Sequence, residues 1–267
     1  MRPQVTHELE VEVEAAREAA RAAGEIIARH SESERESWDK AEDSPVTRAD
    51  LEANEAIRGI LADRFPDDAV LSEETRDSPE RLNSERLWLI DPLDGTKEFI
   101  QGVPEFAVSI GLVLRGEQVV GVVLQPLTRE CFWGARGAGA YLGDERIHVA
   151  RLEQLDQAVV LSSRTEMARG QMDPYKELFK ELRPVGSVAL KLALIAAGRG
   201  DLWISAAPKS EWDVCAGDLL VREAGGRFIT LAQGQRTYNQ LDVLLRPLMT
   251  AGPHELVAAF RERSASR

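Results

Sequence analysis

Apolar residues recur at three- and four-residue steps near the start of the chain: Val5, Leu9, Val13, Ala16, Ala20, Ala23 and Ile27, with Glu and Arg between them. That rhythm gathers the apolar side chains on one face and predicts a long amphipathic helix over residues 5–29. His30 follows it, and reads as a helix-end cation rather than a ligand. A second helix is predicted over residues 50–64. The period then changes. Residues 69–74 and 87–90 read as short strands, and 106–114 and 118–124 flank Arg115-Gly116-Glu117 as the arms of a hairpin. Cys131-Phe132-Trp133 opens another strand, and 141–149 continues the sheet. Gly134-x-x-Gly137-x-Gly139 has no helix pattern after it, so hairpin turns explain it better than a nucleotide loop.

From about Arg151 strands and helices alternate. A strand at 158–161 leads to Ser162-Ser163-Arg164, and a helix is predicted over 174–182. An apolar helix spans 188–197, closed by Gly198 in the usual position after a helix end. A strand at 201–205, a helix running to Ala224 before Gly225-Gly226, a strand at 247–251 and a helix over 254–263 complete this part. The change of pattern predicts two domains, residues 1–150 and 151–267.

A chain of 267 residues with 43% apolar and 29% charged residues has the composition of a globular enzyme. No apolar run approaches the roughly 18 residues of a membrane span, and the acidic N-terminus lacks a signal-peptide core. Cys131 and Cys215 form neither a disulfide framework nor a Cys-x-x-Cys site, which fits a reducing cytoplasm. The formal net charge of −12 disfavours a nucleic-acid polymer as partner. It also bears on any anionic substrate. Two unit charges about 4 Å apart interact by about 4 kcal/mol at an effective dielectric of 20. Clustered carboxylates therefore hold a phosphate only with divalent cations between them.

The chemistry concentrates in Leu87-Trp88-Leu89-Ile90-Asp91-Pro92-Leu93-Asp94-Gly95-Thr96-Lys97-Glu98-Phe99-Ile100. An apolar strand ends in two acids three positions apart on a turn constrained by Pro92. Gly95 bares the backbone, and Thr96 stands where a helix could begin. Acids, bare backbone and a helix start together suit a cation and a phosphate, although Pro, Asp and Gly in a row also make any β-turn. The spacing is not that of an EF-hand. It also differs from the Asp-x-Asp nucleophile of haloacid dehalogenases, because two residues separate the acids.

Asp91-Pro92-Leu93-Asp94-Gly95-Thr96, with Trp88-Leu89-Ile90 before it, resembles the first signature of the inositol monophosphatase superfamily of metal-dependent phosphatases. Lys97-Glu98-Phe99-Ile100 is similar to the 3′(2′),5′-bisphosphate nucleotidase branch. Three further segments extend the resemblance over nearly the whole chain. Lys40-Ala41-Glu42-Asp43-Ser44-Pro45-Val46-Thr47-Arg48-Ala49-Asp50 is similar to the family's Lys-x-Asp-x-Ser-Pro-Val-Thr-x-Ala-Asp, with Glu42 and Asp43 in its variable region. Ser72-Glu73-Glu74 matches its Ser-Glu-Glu. Glu211-Trp212-Asp213-Val214-Cys215-Ala216-Gly217, with Gly225-Gly226 beyond, matches its Trp-Asp-x-x-Ala-Gly signature. Read without the family, Thr47 or Asp50 caps a helix, Glu73-Glu74 is a solvated strand end, and Asp213 is a helix cap.

The resemblance implies an α/β (α+β) fold layered α/β/α/β/α, of the inositol monophosphatase and fructose-1,6-bisphosphatase type. It also implies hydrolysis of a small phosphorylated substrate with Mg²⁺, two or three ions, and sensitivity to Li⁺. By the same likeness Glu73, Asp91 and the Leu93 carbonyl hold one ion, and Asp91, Asp94 and Asp213 a second. Asp50, Glu73 and Thr96 are the catalytic residues, Asp50 and Thr96 acting together on the attacking water. Leu93, Asp94, Gly95, Thr96 and Asp213 meet the substrate, with the Gly95 and Thr96 amides on the phosphate. Glu74 and Asp218 are expected to play supporting or outward-facing roles, and Lys191 faces either the pocket or the surface. A homodimer is common in the family. Lys97-Glu98-Phe99 and Glu211-Trp212-Asp213 favour 3′-phosphoadenosine 5′-phosphate as substrate. The spacing after Gly186-Ser187 is closer to an inositol monophosphatase or a broad sugar and polyol phosphatase. A phosphoaspartyl phosphatase and a metal-binding regulatory protein are the competing classes.

Overall fold

The computed structural model describes residues 9–32, 37–41, 44–232, 234 and 236–265. The start of the predicted first helix, with Val5, and the variable pair Glu42 and Asp43 lie outside the described residues. The first helix, α1 (Glu10–Ser31), buries Val13, Ala16, Ala20, Ala23 and Ile27 along one face, as its periodicity predicts. It packs beside α2 (Arg48–Arg64), and His30 at its end meets Glu52 of α2 at 2.9 Å. A two-stranded ladder, β1 (Ser37–Ala41) with β2 (Ser44–Thr47), leads into α2.

Seven strands form the larger sheet in chain order: β3 (Ala69–Ser72), β4 (Arg86–Asp94), β5 (Ala107–Leu114), β6 (Glu117–Gln125), β7 (Glu130–Ala135), β8 (Gly139–Leu142) and β9 (Glu145–Ile147). Only the first pair is parallel. The β5–β6 hairpin closes where predicted, with Arg115 at φ 52° and Gly116 at φ 83°, both left-handed as a tight hairpin turn needs. A short helix, α3 (Thr96–Gln101), follows β4.

The second half supplies β10 (Val159–Ser162), α4 (Arg164–Ala168), β11 (Glu181–Pro184), α5 (Val188–Ala196), β12 (Leu202–Ser205), β13 (Lys209–Ser210), α6 (Glu211–Glu223), β14 (Arg227–Thr230), β15 (Leu244–Leu245), β16 (Met249–Gly252) and α7 (His254–Ser264). Five of its strands make a sheet in the order β11-β10-β12-β16-β14. The layers are α1 and α2, the large sheet, α5 and α6, the smaller sheet, then α7. This is the α/β/α/β/α sandwich.

One predicted helix needs correction. The predicted helix over residues 174–182 is a single 3₁₀ turn (Lys176–Leu178) followed by β11. The free edge of β10 offers this segment a parallel ladder, while Tyr175 and Phe179 seat against Phe260 of α7, so tertiary pairing outweighs local helix preference. Strand β14, absent from the predicted elements, follows Gly225-Gly226 and pairs with β16. The polar stretch 75–85 is tied down by buried Arg81. Its guanidinium reaches both carboxylate oxygens of Asp77, Asn239 Oδ1 and the Gln240 carbonyl.

Paired glycines set the distance between α6 and the large sheet. Gly111 and Gly121 lie opposite each other on β5 and β6. A Cβ on Gly121 would come within 2.6 Å of the Ala216 carbonyl, and one on Gly111 within 2.8 Å of Cys215 Sγ. Two absent methyl groups let α6 lie directly on the sheet. That contact carries the first turn of α6, with Asp213, to the end of β4.

Candidate active site

Strand β4 runs through Pro92 to Asp94 instead of ending at Asp91. Its register against β5 slips there: Asp91 pairs with Ser109 and Asp94 with Ala107, three steps against two. Side chains alternate along a strand, so residues three apart would normally face opposite sides. The extra residue of this bulge lets Asp91 and Asp94 line one cavity, at a place where Pro92, without an N–H to give, is tolerated. Asp91 Oδ1 accepts the Leu93 N–H at 3.0 Å. Gly95 then turns the chain into α3 at φ 98°, a left-handed value that favours glycine, and a Cβ there would also press on the Glu105 carbonyl at 3.0 Å.

Glu73 follows β3, and its N–H reaches the Ile90 carbonyl on β4 at 3.2 Å. Asp213 lies in the first turn of α6, where Oδ2 accepts the Ser210 N–H at 2.8 Å. The N-cap is Ser210, not Asp213; Asp213 caps from the third position of a capping box, which leaves its second carboxylate oxygen for other work. The Ser109 hydroxyl donates to the Trp212 carbonyl at 3.0 Å and ties this turn to β5. Glu73, Asp91 and Asp213 each offer a carboxylate oxygen, and the three oxygens lie within 4.8 Å of one another.

Charge makes this grouping costly without a cation. Burial pushes Asp91 well above the usual carboxylate range, and Glu73, Asp94, Asp213 and Asp50 push it further. Burial raises Asp213 in the same way, with Asp94 and Glu73 adding to it. A hard, all-oxygen donor set with excess negative charge fits a divalent cation such as Mg²⁺.

Asp50 and Thr96 meet at the edge of the cluster. Asp50 is buried at the start of α2. Its Oδ2 accepts the Thr47 N–H at 2.7 Å and the Thr47 hydroxyl at 2.5 Å, forming a capping box. Its Oδ1 lies 3.2 Å from Thr96 Oγ1, which is also 3.0 Å from the Leu93 carbonyl. Burial raises the Asp50 pKa to about 6, against the lowering effect of the Thr47 bonds.

Asp94 lines the cavity but stands outside the three-carboxylate group. Its Oδ2 accepts the Ser187 hydroxyl and the Ala189 N–H, both at 2.6 Å. The start of α5 is thus occupied in part by Asp94, and Ser187 Oγ also accepts the Leu190 N–H. Lys191 is buried here. Its Nζ donates to the Val185, Gly186 and Ser187 carbonyls at 3.0, 3.2 and 2.7 Å. Burial lowers its pKa to about 8, with Asp94 acting in the opposite sense. Asp218, expected to play a supporting or outward-facing part, is buried and points inward. It accepts from Gln118, Arg222 and Tyr238 and joins α6 to β6.

The cavity measures about 350 Å³ and takes in Leu93, Asp94, Gly95 and Thr96 along with the acids. Its other wall holds residues that sequence reasoning missed. Lys209 Nζ donates to Glu166 Oε1 at 2.8 Å, and buried Glu166 also accepts the Ser205 hydroxyl and the Ala206 N–H. Lys209 lay in plain view in Pro208-Lys209-Ser210-Glu211-Trp212-Asp213. Nothing local, however, marks Glu166 as its partner.

A profile described as the inositol monophosphatase family matches residues 8–265. The chain is 37% identical over 217 residues to the Nus factor SuhB of Pasteurella multocida, covering 78% of this chain and 80% of that protein. The structure of the extragenic suppressor protein suhB from Bartonella henselae superposes with a TM-score of 0.84 at 29% identity, covering 95% of this chain and 98% of that one. CysQ from Bacteroides thetaiotaomicron, described as a bacterial member of the inositol monophosphatase family, gives 0.76 at 32% identity, covering 91% and 97%. With the sandwich, the converging acids and these likenesses in agreement, the chain belongs to the inositol monophosphatase family of metal-dependent phosphomonoesterases.

Proposed function

We propose that the protein is a 3′(2′),5′-bisphosphate nucleotidase that converts 3′-phosphoadenosine 5′-phosphate to AMP and phosphate. The observation that carries a hydrolytic reading is the convergence of Glu73, Asp91 and Asp213 beside the Asp50–Thr96 pair in one cavity. The nucleotide substrate is supported by Lys97-Glu98-Phe99 and by Glu211-Trp212-Asp213.

Glu73, Asp91 and the Leu93 carbonyl would hold one Mg²⁺, and Asp91, Asp94 and Asp213 a second. When bound, Mg²⁺ supplies the acidification of water and the neutralisation of phosphoryl charge that this reaction needs. The rest falls to the chain. Thr96 has one hydroxyl proton and two acceptors, Asp50 Oδ1 and the Leu93 carbonyl. With Asp50 ionised, the Thr96 oxygen is oriented to accept a hydrogen bond from an attacking water, and Asp50 can receive the proton relayed through Thr96 Oγ1. The Gly95 and Thr96 amides would hold the phosphate as attack proceeds.

The division at residues 1–150 and 151–267 is supported by strand membership: the large sheet ends with Ile147 and the smaller one begins with Val159. Cys131 and Cys215, buried free thiols, favour a reducing cytoplasm. No helix among the described residues is long and apolar enough to cross a membrane. A net charge of −12 disfavours a nucleic-acid polymer as partner. The homodimer and Li⁺ inhibition rest on family resemblance.

The alternative reading is an inositol-1-monophosphatase, favoured by the spacing from Gly186-Ser187 into α5. Comparing kcat/KM for 3′-phosphoadenosine 5′-phosphate and inositol 1-phosphate separates the two. The nucleotidase reading predicts at least a tenfold preference for the nucleotide, a difference of about 1.4 kcal/mol. A preference for inositol 1-phosphate would replace it.

A further inference from the structure

Two lysines of the cavity are used in opposite ways. Lys191 is saturated: its three ammonium protons meet three backbone carbonyls, and it has none left for a ligand. Among the described residues Lys209 Nζ makes one hydrogen bond, to Glu166 Oε1 at 2.8 Å, and two of its donors remain unspent on the cavity wall. Its side chain is 14% exposed, and that of Glu166 is 4% exposed. A mostly buried ammonium gives up much of its hydration, and leaving two donors unmet carries a cost.

Glu166 explains why the ammonium stays at this wall. Its carboxylate is fixed by the Ser205 hydroxyl at 2.8 Å and the Ala206 N–H at 2.7 Å. Lys209 is therefore steered by a rigid counter-ion. That partner is none of the carboxylates proposed to hold metal, so the lysine's hydrogen bond leaves Glu73, Asp91 and Asp213 unengaged, although its charge acts through space to lower the Asp213 pKa that burial raises. The same wall carries a second cation, Arg169, with Ser163, Thr165 and Gln171 beside Pro208 and Val188. A wall that carries cations suits an anionic group on the part of the substrate that leaves.

Resting on the bisphosphate reading above, we propose that Lys209, positioned by Glu166, binds the substrate phosphate that is not cleaved, and so sets the preference for bisphosphorylated over monophosphorylated nucleotides. Substrates differing only in that group test it: 3′-phosphoadenosine 5′-phosphate and adenosine 3′-monophosphate. Wild-type enzyme should favour the former in kcat/KM. Lys209→Met should reduce that ratio by about tenfold or more, the scale of one charge-assisted hydrogen bond, mainly through KM. Lys209→Arg should keep most of the ratio. Glu166→Gln, which loosens the lysine without removing it, should give an intermediate value. Lys209→Gln, assayed alongside, gives the same reading should the methionine variant fold poorly. Equal losses on both substrates would overturn the assignment while leaving the bisphosphate reading intact. Wild-type turnover of inositol 1-phosphate without turnover of 3′-phosphoadenosine 5′-phosphate would instead remove that reading, and the role of Lys209 with it.

Discussion

The Thr96 hydroxyl lies 3.2 Å from Asp50 Oδ1 and 3.0 Å from the Leu93 carbonyl, joining a helix cap 46 residues upstream to the end of β4. One proton cannot serve two acceptors fully, so the ionisation of Asp50 governs which one it favours. With the Asp50 pKa raised to about 6, the pair is ready to accept a proton at neutral pH. Thr96→Ala and Asp50→Asn should each lower kcat by about 10²–10³-fold, as removal of a general-base relay does. Thr96→Ser should retain most activity. The pH profile of kcat/KM should fall on the acid side near pH 6, and Asp50→Asn should abolish that limb. A profile flat from pH 5 to 8 would remove Asp50 from the relay.

The same burial carries a stability cost with a definite sign. Asp50 is raised from 3.8 to about 6, and Asp91 and Asp213 are raised as well. The folded protein therefore holds these protons to higher pH than the unfolded chain. Their contribution is fully present below about pH 4 and is lost as pH rises through the folded values. For Asp50 alone the difference is on the order of 3 kcal/mol. In chelator, the melting temperature should be higher at pH 5 than at pH 7.5, a range below the Lys191 pKa of about 8. Added Mg²⁺ should recover stability at pH 7.5, because it binds the folded state. An unchanged melting temperature across that range would contradict a strained acid cluster.

Much of this was legible in the chain. Asp50, Glu73, Asp91, Asp94 and Asp213 all carried motif context, and the hairpin at Arg115-Gly116 followed from period and turn chemistry. What could not be read were relations between distant residues. The bulge that turns Asp91 and Asp94 to one side depends on the register with Ser109 and Ala107. Strand β11 depends on the open edge of β10, which no local pattern reveals. Asp94's bonds to Ser187 and Ala189, and the Glu166–Lys209 pair, join positions 93, 95 and 43 residues apart. A helical rhythm or a turn signature has no access to such pairs.

The close seating of α6 gives a packing prediction. In Gly121→Ala the new methyl group would meet the Ala216 carbonyl at 2.6 Å, and backbone must move. Overpacking of this kind costs about 1–3 kcal/mol, measurable as a lower denaturant midpoint. Because α6 carries Asp213, the Mg²⁺ concentration for half-maximal activity should rise too. A stable variant with unaltered metal dependence would show that this contact does not position the acid.

Lys191 should behave as a backbone clamp. Lys191→Met leaves the Val185, Gly186 and Ser187 carbonyls without their shared donor and should cost on the order of 2 kcal/mol or more. Ser187, held at φ 49°, would be free to relax, and with it the bonds to Asp94. The expected readouts are a lower melting temperature and weaker Mg²⁺ activation. Unchanged melting with a raised KM alone would point to direct substrate contact instead.

The central claim is tested most directly by phosphate release from 3′-phosphoadenosine 5′-phosphate against Mg²⁺ concentration, in wild type and in Asp91→Asn, with inositol 1-phosphate run in parallel. Saturable activation in wild type, silence in chelator, and no turnover in a folded Asp91→Asn protein are the predicted results. Undiminished release in chelator, or full activity in Asp91→Asn, would contradict a metal site built on these acids.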